Sequence, residues 1–383
     1  YQVTVEDGQL SVVHNFTTTS LAGQLPASGS PSITVVLGDI GQTDYSANTI
    51  KAITEHRGYA NLAASGHVEF GILVGDMAYG DGQGKRWDTW SEMMEPLCAH
   101  LPLTFGVGNH EIEPDFFQGA RAFSHYRQRF RMPGDYDKEV YFDKPAGYLD
   151  NYLATYNFSF QYEYGASYYS YDVGLVHYVM LNTYNTYCST GKGCPQYEFL
   201  VADLAAVDRD VTPWIIVTMH APFYNSNVDH PPDGEVATID MKTWAEPLMS
   251  QYGVNFVISG HVHAYERFGS VDLNGNLDAT GISPTYITIG DAGKTALDNG
   301  WNIPDNGISA FTDGSFFGYG TLTIYNSTHI LWEWRPNPLN GSADDSVMVT
   351  NEYYLLTQKE ATITLPVEVC VFFSIFCHHR HEP

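Results

Sequence analysis

The chain carries little positive charge. Its 383 residues include only 18 lysines and arginines against 44 aspartates and glutamates, which gives a formal net charge of −26. A surface this acidic repels nucleic-acid backbones and anionic membranes, so we expect neither as a partner. A small anionic substrate is not excluded, because bound metal ions can reverse the electric field inside a cleft.

The sequence also lacks an apolar run of the roughly 20 residues that a membrane-spanning helix needs. The longest candidate, LPVEVCVFFSIFC (365–377), is too short and is followed by HHRHEP. We interpret this run as a terminal strand or a frayed end, and the histidines after it as part of a disordered tail. We therefore expect no membrane contact.

Cysteine is scarce, with five residues in the whole chain. Cys188 and Cys194 flank the short loop CSTGKGC, which either closes as a disulfide or leaves two buried thiols. The chain begins at Tyr1 without a leader, as expected of a mature or truncated product. Four Asn-x-Ser/Thr sequons, against roughly two or three expected by chance, support secretion only weakly. They lie at Asn15, Asn157, Asn326 and Asn340.

The apolar residues, 44% of the chain, recur as seven runs of strand length. Segments with helical spacing, such as 45–66 and 87–101, separate many of them. Strands that alternate with helices predict a layered α/β domain. The runs are ITVVL (33–37), FGILV (70–74), LTFGV (103–107), HYVML (177–181), WIIVT (214–218), NFVIS (255–259) and TYITI (285–289).

The two ends of the chain lack the alternation of strands and helices that is predicted for its middle. Residues 1–19 predict a β-hairpin around EDG, and 20–32 read as a linker. After residue 310, short alternating runs on either side of NST predict an antiparallel pair. We therefore divide the chain into an N-terminal β segment with its linker (1–30), a catalytic domain (31–345) and a C-terminal extension (346–383).

Five of the apolar runs end in side chains that can bind a metal. In open α/β sheets, ligands bind beyond the carboxyl ends of the strands. One Gly-Asp or Gly-Asn-His after a strand is usually a turn or a loop, but five such ends in chain order indicate a site. Most of these ligands follow a glycine, which allows a sharp turn and leaves room beside a metal. The candidate ligands are Asp39, Asp76, Tyr79, Asn109, His220, His261 and His263.

Seven ligands are more than one ion can use. Mixed oxygen and imidazole donors fit a dinuclear site for iron, zinc or manganese rather than a thiolate zinc site. A carboxylate such as Asp76, at the end of a central strand, can bridge two ions. Two ions about 3.5–4 Å apart suit phosphoester hydrolysis, because they activate a water and stabilise charge on the phosphoryl oxygens.

The ordered motifs GD-x-G, GD-x-x-Y, GNHE, V-x-x-H and GH-x-H resemble the signature of the purple acid phosphatases, a branch of the calcineurin-like metallophosphoesterases. The stretches GHVHAYER (260–267) and MHAPFYNSN (219–227) are similar to the large plant-type enzymes. The resemblance covers roughly residues 31–340. It implies an α/β fold with four layers in the order αββα, and it implies that the hairpin 1–19 is the remnant of a fibronectin-type-III-like domain.

The resemblance also implies the cofactors. It places Fe(III) on Asp39, Asp76, Tyr79 and His263. It places a divalent ion, Zn, Mn or Fe, on Asp76, Asn109, His220 and His261, with Asp76 as the bridge. A phenolate is a hard anionic ligand that suits Fe(III), so Tyr79 is the residue that most narrows the choice of metal.

The implied activity is that of an acid phosphatase, which hydrolyses phosphate monoesters by attack of a metal-bound hydroxide. His110 would lie beside the substrate phosphate with Asn109, and His230 would contact the phosphate or protonate the leaving group. Asp229 stands where many relatives have a second histidine, which leaves the arrangement of the acid catalyst open. Asp233 matches an acidic residue that supports the site in relatives, although Asp233 and His230 could instead belong to a solvated loop.

Two other functions remain open. The first is a phosphodiesterase or nuclease of the same architecture, which the shortage of lysine and arginine disfavours. The second is a partner-binding protein with an inactive site, which the complete set of seven ligands disfavours. We expect small phosphomonoester substrates, a monomer or homodimer, and a secreted, extracellular, vacuolar or lysosomal location.

Overall fold

A computed structural model provides the structure, and every structural statement below concerns the residues that it describes. These are 13, 17–54, 66–112, 123–134, 139–143, 160–185, 191–228, 230, 236–295, 297–298, 300–302, 307–337 and 342–362.

The first of two large sheets has six strands. Strands β1 to β3 are parallel neighbours, and β13, β14 and β15 extend the sheet antiparallel from the other side of β1, in the order β15-β14-β13-β1-β2-β3. The strands are β1 (Ser32–Leu37), β2 (His67–Leu73), β3 (Leu103–Phe105), β13 (Gly318–Ile324), β14 (His329–Pro336) and β15 (Asp345–Thr350).

The second large sheet has seven strands in the order β12-β10-β11-β9-β8-β7-β6. Its central strands β7, β8, β9 and β11 run parallel, and antiparallel strands flank them. The strands are β6 (Tyr169–Val173), β7 (Val176–Met180), β8 (Trp214–Thr218), β9 (Phe256–Ser259), β10 (Tyr265–Ser270), β11 (Thr285–Ile289) and β12 (Ser309–Asp313). Strands β4 (Glu139–Asp143) and β5 (Phe160–Tyr164) form a separate antiparallel pair.

Helices cover the outer face of each sheet. The described helices are α1 (Asp44–Thr54), α2 (Gly84–Cys98), α3 (Ser124–Arg129), α4 (Pro195–Ala206), α5 (Val236–Gln251) and α6 (Glu352–Thr362), with short 3-10 turns at Asn109–Glu111 and Gly165–Ser167. Helices α1 and α2 pack with one face of the six-stranded sheet, and α4 and α5 pack with one face of the seven-stranded sheet. None of the helices in the described part of the chain is both long and apolar enough to cross a membrane.

Successive side chains of a strand alternate between the two faces of each large sheet. Val35 of β1 packs with the helix-covered cluster, whereas its neighbour Val36 belongs to the cluster between the two sheets. Ile215 and Ile216 of β8 divide in the same way between the outer and the inner cluster. Because successive side chains of a strand point to opposite faces, each sheet is buried on both sides. The predicted four-layer αββα sandwich is thus confirmed.

The sequence predicted most of these elements. All seven apolar runs are strands, and Ile324 pairs with Ile330 on the two arms of the hairpin predicted around NST. The helix predicted over 45–66 covers Asp44–Thr54, and residues 55–65 lie outside the described residues.

The predicted division into three parts stays a prediction, and the structure describes contacts near both ends of the chain. The hairpin predicted over 1–19 lies almost entirely outside the described residues and stays a prediction. The predicted linker is held to the body of the protein, because Ser20 N donates to Glu69 Oε1 at 2.8 Å and Gly23 N donates to the Gly174 carbonyl at 2.8 Å. At the other end, the strand Asp345–Thr350 continues the six-stranded sheet past the expected boundary at residue 345, since it pairs along its length with β14.

The cysteines are partly described. Cys98 is a free thiol, and Cys194, which precedes α4, is disulfide-bonded. Cys188 lies outside the described residues, so the pairing of Cys188 with Cys194 stays a prediction.

One charged cluster ties α4 to the edge of the seven-stranded sheet. His177 of β7 places Nδ1 2.7 Å from Asp172 Oδ1 of β6 and Nε2 2.9 Å from Asp203 Oδ2 of α4. Burial alone would lower the pKa of His177, but the two carboxylates raise it to about 9. The imidazolium is thus the form that the fold stabilises.

We predict that His177→Gln weakens the fold mainly at acidic and neutral pH. The pKa of about 9 lies above the usual 6.5, so the stabilisation is complete below about pH 6.5 and disappears as the pH rises through about 9. Denaturant unfolding of both proteins should show a difference of about 1–2 kcal/mol at pH 5.5, reduced by screening at the exposed Asp172. A difference that stays constant up to pH 10 would contradict this account.

Candidate metal centre

The predicted ligands meet where both large sheets present the carboxyl ends of parallel strands. Asp39 follows β1, Asp76 follows β2, and Asn109 opens the 3-10 turn after β3, all in the six-stranded sheet. His220 follows β8, and His261 and His263 follow β9, in the seven-stranded sheet. Hydrogen bonds join the two halves, since His220 Nδ1 lies 2.8 Å from the carbonyl oxygen of Val74.

One group of ligands surrounds the hydroxyl of Tyr79. This oxygen lies 3.1 Å from Asp39 Oδ1 and 3.0 Å from His263 Nε2. The Tyr79 side chain is buried, and Asp39 is fully buried. A carboxylate, a phenol and an imidazole therefore point at one small space.

The other group surrounds the side-chain oxygen of Asn109. Asn109 Oδ1 lies 3.2 Å from His220 Nε2 and 3.1 Å from His261 Nδ1. Ligand atoms of Asp76, His220 and His261 all lie within 4.8 Å of one another. His220 joins the two groups, because its Nε2 is 3.4 Å from Asp76 Oδ1 and 3.8 Å from Asp39 Oδ1. The structure thus brings together all seven predicted ligands.

Backbone strain is concentrated at these ligands. Six non-glycine residues have a positive φ in the described part of the chain, and four of them are predicted ligands: Asp39 (54°), Asp76 (51°), Tyr79 (47°) and His261 (71°). Each such residue costs about 1–3 kcal/mol and persists only where its surroundings impose it. Strain on the ligands themselves favours a functional site over ordinary turns.

Three glycines leave the space that the predicted ligands occupy. A Cβ at Gly75 would lie 2.5 Å from His220 Nδ1, a Cβ at Gly108 would collide with the Asp76 carboxylate, and a Cβ at Gly260 would collide with the Asp39 carboxylate. The glycines that the sequence places before the ligands are therefore required by space. They let the two carboxylates approach the centre of the site.

Glu111 holds the two loops that supply Asp76 and Asn109. Its carboxylate is fully buried and accepts hydrogen bonds from the main-chain N–H groups of Asp76 (2.8 Å), Met77 (2.9 Å) and Gly108 (2.8 Å). Burial and the nearby Asp76 raise the pKa of Glu111 to about 8. The sequence does not predict this role, although Glu111 is the last residue of the motif GNHE.

The electrostatics of the site favour positive charge. Burial alone would raise the pKa of Asp76, but His220 and His110 hold it far below its usual range. Burial would lower the pKa of His220, but Asp76 and Asp39 raise it to about 10. Burial and the Asp39 carboxylate raise the pKa of the Tyr79 phenol well above its ordinary value.

Metal cations would compensate the negative charge of the buried carboxylates in place of the protons on His220 and Tyr79. Metal binding would therefore release those protons. The donor set of carboxylate, amide, phenol and imidazole is the one that iron, zinc and manganese accept. The residues present therefore fit a pair of such ions.

His110 lies at the mouth of the site. Its main-chain N donates to Asp76 Oδ1 at 2.9 Å, its Nδ1 lies 2.9 Å from Asp81 Oδ1, and its ring contacts Tyr79 with centroids 4.2 Å apart. The side chain is 31% exposed, so it can meet a ligand from solvent. Burial would lower the pKa of His110, but Asp76 and Asp81 raise it overall.

His230 also reaches the site. Its ring centroid lies 4.7 Å from that of His261, and its Nε2 lies 3.5 Å from Asp298 Oδ2. Asp298 is a second residue that the sequence did not reveal: its Oδ2 also accepts a hydrogen bond from His263 N at 3.0 Å. Asp229 and Asp233 lie outside the described residues, so the role of Asp233 stays a prediction.

Comparison with known proteins places these features in a family. A sequence profile of calcineurin-like phosphoesterases matches residues 34–265, well over half of the chain. A second profile, described as iron/zinc purple acid phosphatase-like protein C, matches residues 283–346.

Individual proteins agree with the profiles. Probable purple acid phosphatase 20 of Arabidopsis thaliana is 33% identical over 333 residues, covering 87% of this chain and 66% of the relative. Fe(3+)-Zn(2+) purple acid phosphatase 12 of the same plant is 31% identical over 340 residues, covering 85% and 64%. The chain thus spans slightly less than two thirds of the length of these relatives.

A purple acid phosphatase from yellow lupin (Lupinus luteus) seeds has the same fold. The structures align with a TM-score of 0.68 and 23% identity, over 91% of this chain and 58% of the lupin chain.

We predict that Gly108→Ala impairs metal binding without removing a ligand. Gly108 has a backbone conformation that alanine adopts readily, φ −104° and ψ −174°, but the added Cβ would displace the Asp76 carboxylate. Metal affinity, measured by titration and mass spectrometry, should fall about 10- to 100-fold. Gly84→Ala is the matched control, since a Cβ there meets nothing closer than 3.4 Å. Equal metal affinity in both variants would contradict the role assigned to this contact.

Proposed function

The chain belongs to the calcineurin-like phosphoesterase family, in its purple acid phosphatase branch, and we propose that it is a dinuclear metal-dependent acid phosphatase acting on phosphate monoesters. The observation that carries the proposal is the position of the Tyr79 hydroxyl, between Asp39 Oδ1 and His263 Nε2. A phenol among hard oxygen and imidazole donors suits Fe(III).

Two overlapping sets of side chains would hold the ions. Asp39, Asp76, Tyr79 and His263 suit Fe(III), and Asp76, Asn109, His220 and His261 suit a divalent ion, Zn, Mn or Fe. The relative named as an Fe(3+)-Zn(2+) enzyme supports this pairing. When bound, such ions supply the charge that activates a water and stabilises the phosphoryl oxygens in the transition state.

The remaining residues position the substrate phosphate. Asn109 lies next to His110 in the 3-10 turn, and the half-buried His110 ring is held by Asp81 at 2.9 Å. A hydrogen bond from His110 to a phosphate oxygen fits this geometry, because the ring is anchored at one nitrogen and leaves the other toward the site. Fixed donors of this kind stabilise charge without reorganising during the reaction.

His230 would serve the leaving group. It approaches the site from the loop after β8, over His261, while Asp298 holds its Nε2 side at 3.5 Å. A proton from His230 to the departing alkoxide would complete the hydrolysis. Since Asp229 occupies the place of a second histidine, we assign Asp298 the task of orienting the one that remains, with Asp233 as a further supporting acid.

The proposal also covers the substrate class, the location and the oligomeric state of the protein. The shortage of cations favours small phosphomonoesters over nucleic acid. We propose a secreted, extracellular, vacuolar or lysosomal monomer or homodimer. The sequon at Asn326 supports such a location, because its side chain is exposed in the turn between β13 and β14.

Asp76→Asn tests the proposed activity. Hydrolysis of p-nitrophenyl phosphate across pH 4–8 should fall at least about 100-fold, together with metal content, because an amide is a poor bridge between two cations. Asp88→Asn, on the exposed surface of α2, should match the wild type. Full activity and full metal content in Asp76→Asn would refute the bridging role.

Tyr79→Phe tests the identity of the trivalent ion. If Tyr79 binds Fe(III), the protein should be coloured by charge transfer from phenolate to iron, and the substitution should abolish the visible band. Visible spectra of the two proteins, loaded with equal iron, decide the matter. If the band survives in Tyr79→Phe, Tyr79 lines the site but is not a ligand of the iron.

A further inference from the structure

The loop after β11 carries a lysine to the metal centre. Three contacts fix this loop against the segments beside the ligands: Ala292 N donates to the Gly38 carbonyl at 3.1 Å, Lys294 N donates to the Asp39 carbonyl at 3.0 Å, and Thr43 Oγ1 donates to the Gly293 carbonyl at 2.6 Å. The main chain of Lys294 is thus attached directly to a predicted ligand, Asp39. The main chain at Lys294 is therefore fixed beside the site.

The side chain of Lys294 lies over the ring of Tyr79. Its Nζ is 4.2 Å from the ring centroid, which is within the range of a cation–π interaction. Gly41 borders both side chains, since a Cβ there would be in van der Waals contact, at 3.5 Å, with Tyr79 Cδ2 and with Lys294 Cδ.

The positive charge of Lys294 is available to the ring. Among the described residues, Lys294 forms no ion pair within 4.0 Å, and the nearby Asp81 carboxylate is engaged by His110 at 2.9 Å and Arg86 at 3.4 Å. The Tyr79 ring is almost completely buried. Lys294 is itself only partly buried, so water screens its charge in part, but the ring that it faces is shielded from solvent and the two groups interact across a short distance.

We propose that Lys294 is a positioning residue that tunes how Tyr79 donates electrons to the ion it would hold. This inference rests on the proposed function. Lys294 acts through the ring of Tyr79 and has no assigned contact with substrate. A phenolate ring is richer in electrons than a phenol ring, so the attraction to the ammonium is stronger when Tyr79 is a metal ligand.

The direction of the effect follows from the geometry. The hydroxyl oxygen of Tyr79 points to Asp39 and His263, whereas Lys294 lies over the ring. Charge transfer from the phenolate to Fe(III) moves negative charge from the ring toward the oxygen side, away from the ammonium. Lys294 therefore raises the energy of this transition, and its removal should move the band to longer wavelength.

The same charge acts on the redox state of the ion. A cation near the site disfavours Fe(III) relative to Fe(II), because the higher charge is repelled more strongly. Loss of Lys294 should therefore lower the reduction potential of the iron.

The test compares visible spectra of iron-loaded proteins at one pH. Lys294→Met should shift the absorption maximum to longer wavelength, and Lys294→Arg, which keeps a cation over the ring, should stay near the wild type. The matched control is Lys242→Met, because Lys242 Nζ lies 3.5 Å from the ring centroid of another tyrosine, Tyr224. Lys242→Met should leave the band unchanged. Potentiometric titration should give a lower potential for Lys294→Met alone.

The outcomes separate this inference from the proposed function. A coloured wild type with an unshifted band in Lys294→Met would overturn the tuning role and leave the phosphatase proposal intact. An unshifted band with a raised KM for p-nitrophenyl phosphate would overturn it in favour of substrate binding by Lys294. A colourless, iron-free wild type would instead refute the proposed metal centre.

Discussion

The fold around the site is governed by the burial of two carboxylates beside one histidine. Asp39 and Asp76 are almost inaccessible to solvent, and both place an oxygen within 4 Å of His220 Nε2. Buried charges of the same sign are costly unless donors and cations compensate them. Here main-chain N–H groups compensate part of the negative charge, since His261 N donates to Asp39 Oδ2 at 2.7 Å and His110 N donates to Asp76 Oδ1 at 2.9 Å. Metal cations would compensate the remaining charge.

The unusual local features of the structure follow from this constraint. The ligands approach so closely that Gly75, Gly108 and Gly260 leave no space for a Cβ. The strand ends must also turn abruptly, and four ligands adopt left-handed backbone conformations to do so. Such strain persists only when stronger interactions impose it. Glu111, which accepts three main-chain hydrogen bonds in the interior, is one of them.

The two sheets share the work of building the site. The six-stranded sheet provides the carboxylates, the phenol and the amide, and the seven-stranded sheet provides the three imidazoles. The apolar cluster between the sheets fixes their relative position. Rigid strands therefore hold ligands that are far apart in sequence, such as Asp39 and His261, to within hydrogen-bonding distance.

Much of this arrangement could be predicted from the sequence, because it depends on local rules. An apolar run that stops at Gly-Asp or Gly-His predicts both a strand and the place where a candidate ligand lies, and this rule was enough to name seven side chains that the structure brings together. The hairpin around NST follows from alternation and a turn signal in the same way. Asp298 and Lys294 could not be found, because nothing near them in sequence shows that the loop after β11 folds back to His263 and Tyr79.

Two further features depend on tertiary pairing. The last strand, Asp345–Thr350, has too little apolar character to be recognised before its partner β14 is known. The main-chain acceptor role of Glu111 requires the loops after β2 and β3 to be adjacent.

The most direct test of a dinuclear centre is anomalous X-ray diffraction from crystals of the metal-loaded protein, with data at the iron and zinc edges. We expect two peaks about 3.5–4 Å apart, with Asp76 between them, iron beside Tyr79 and the divalent ion beside Asn109. A single peak, or peaks away from these seven side chains in a fully loaded protein, would contradict this expectation.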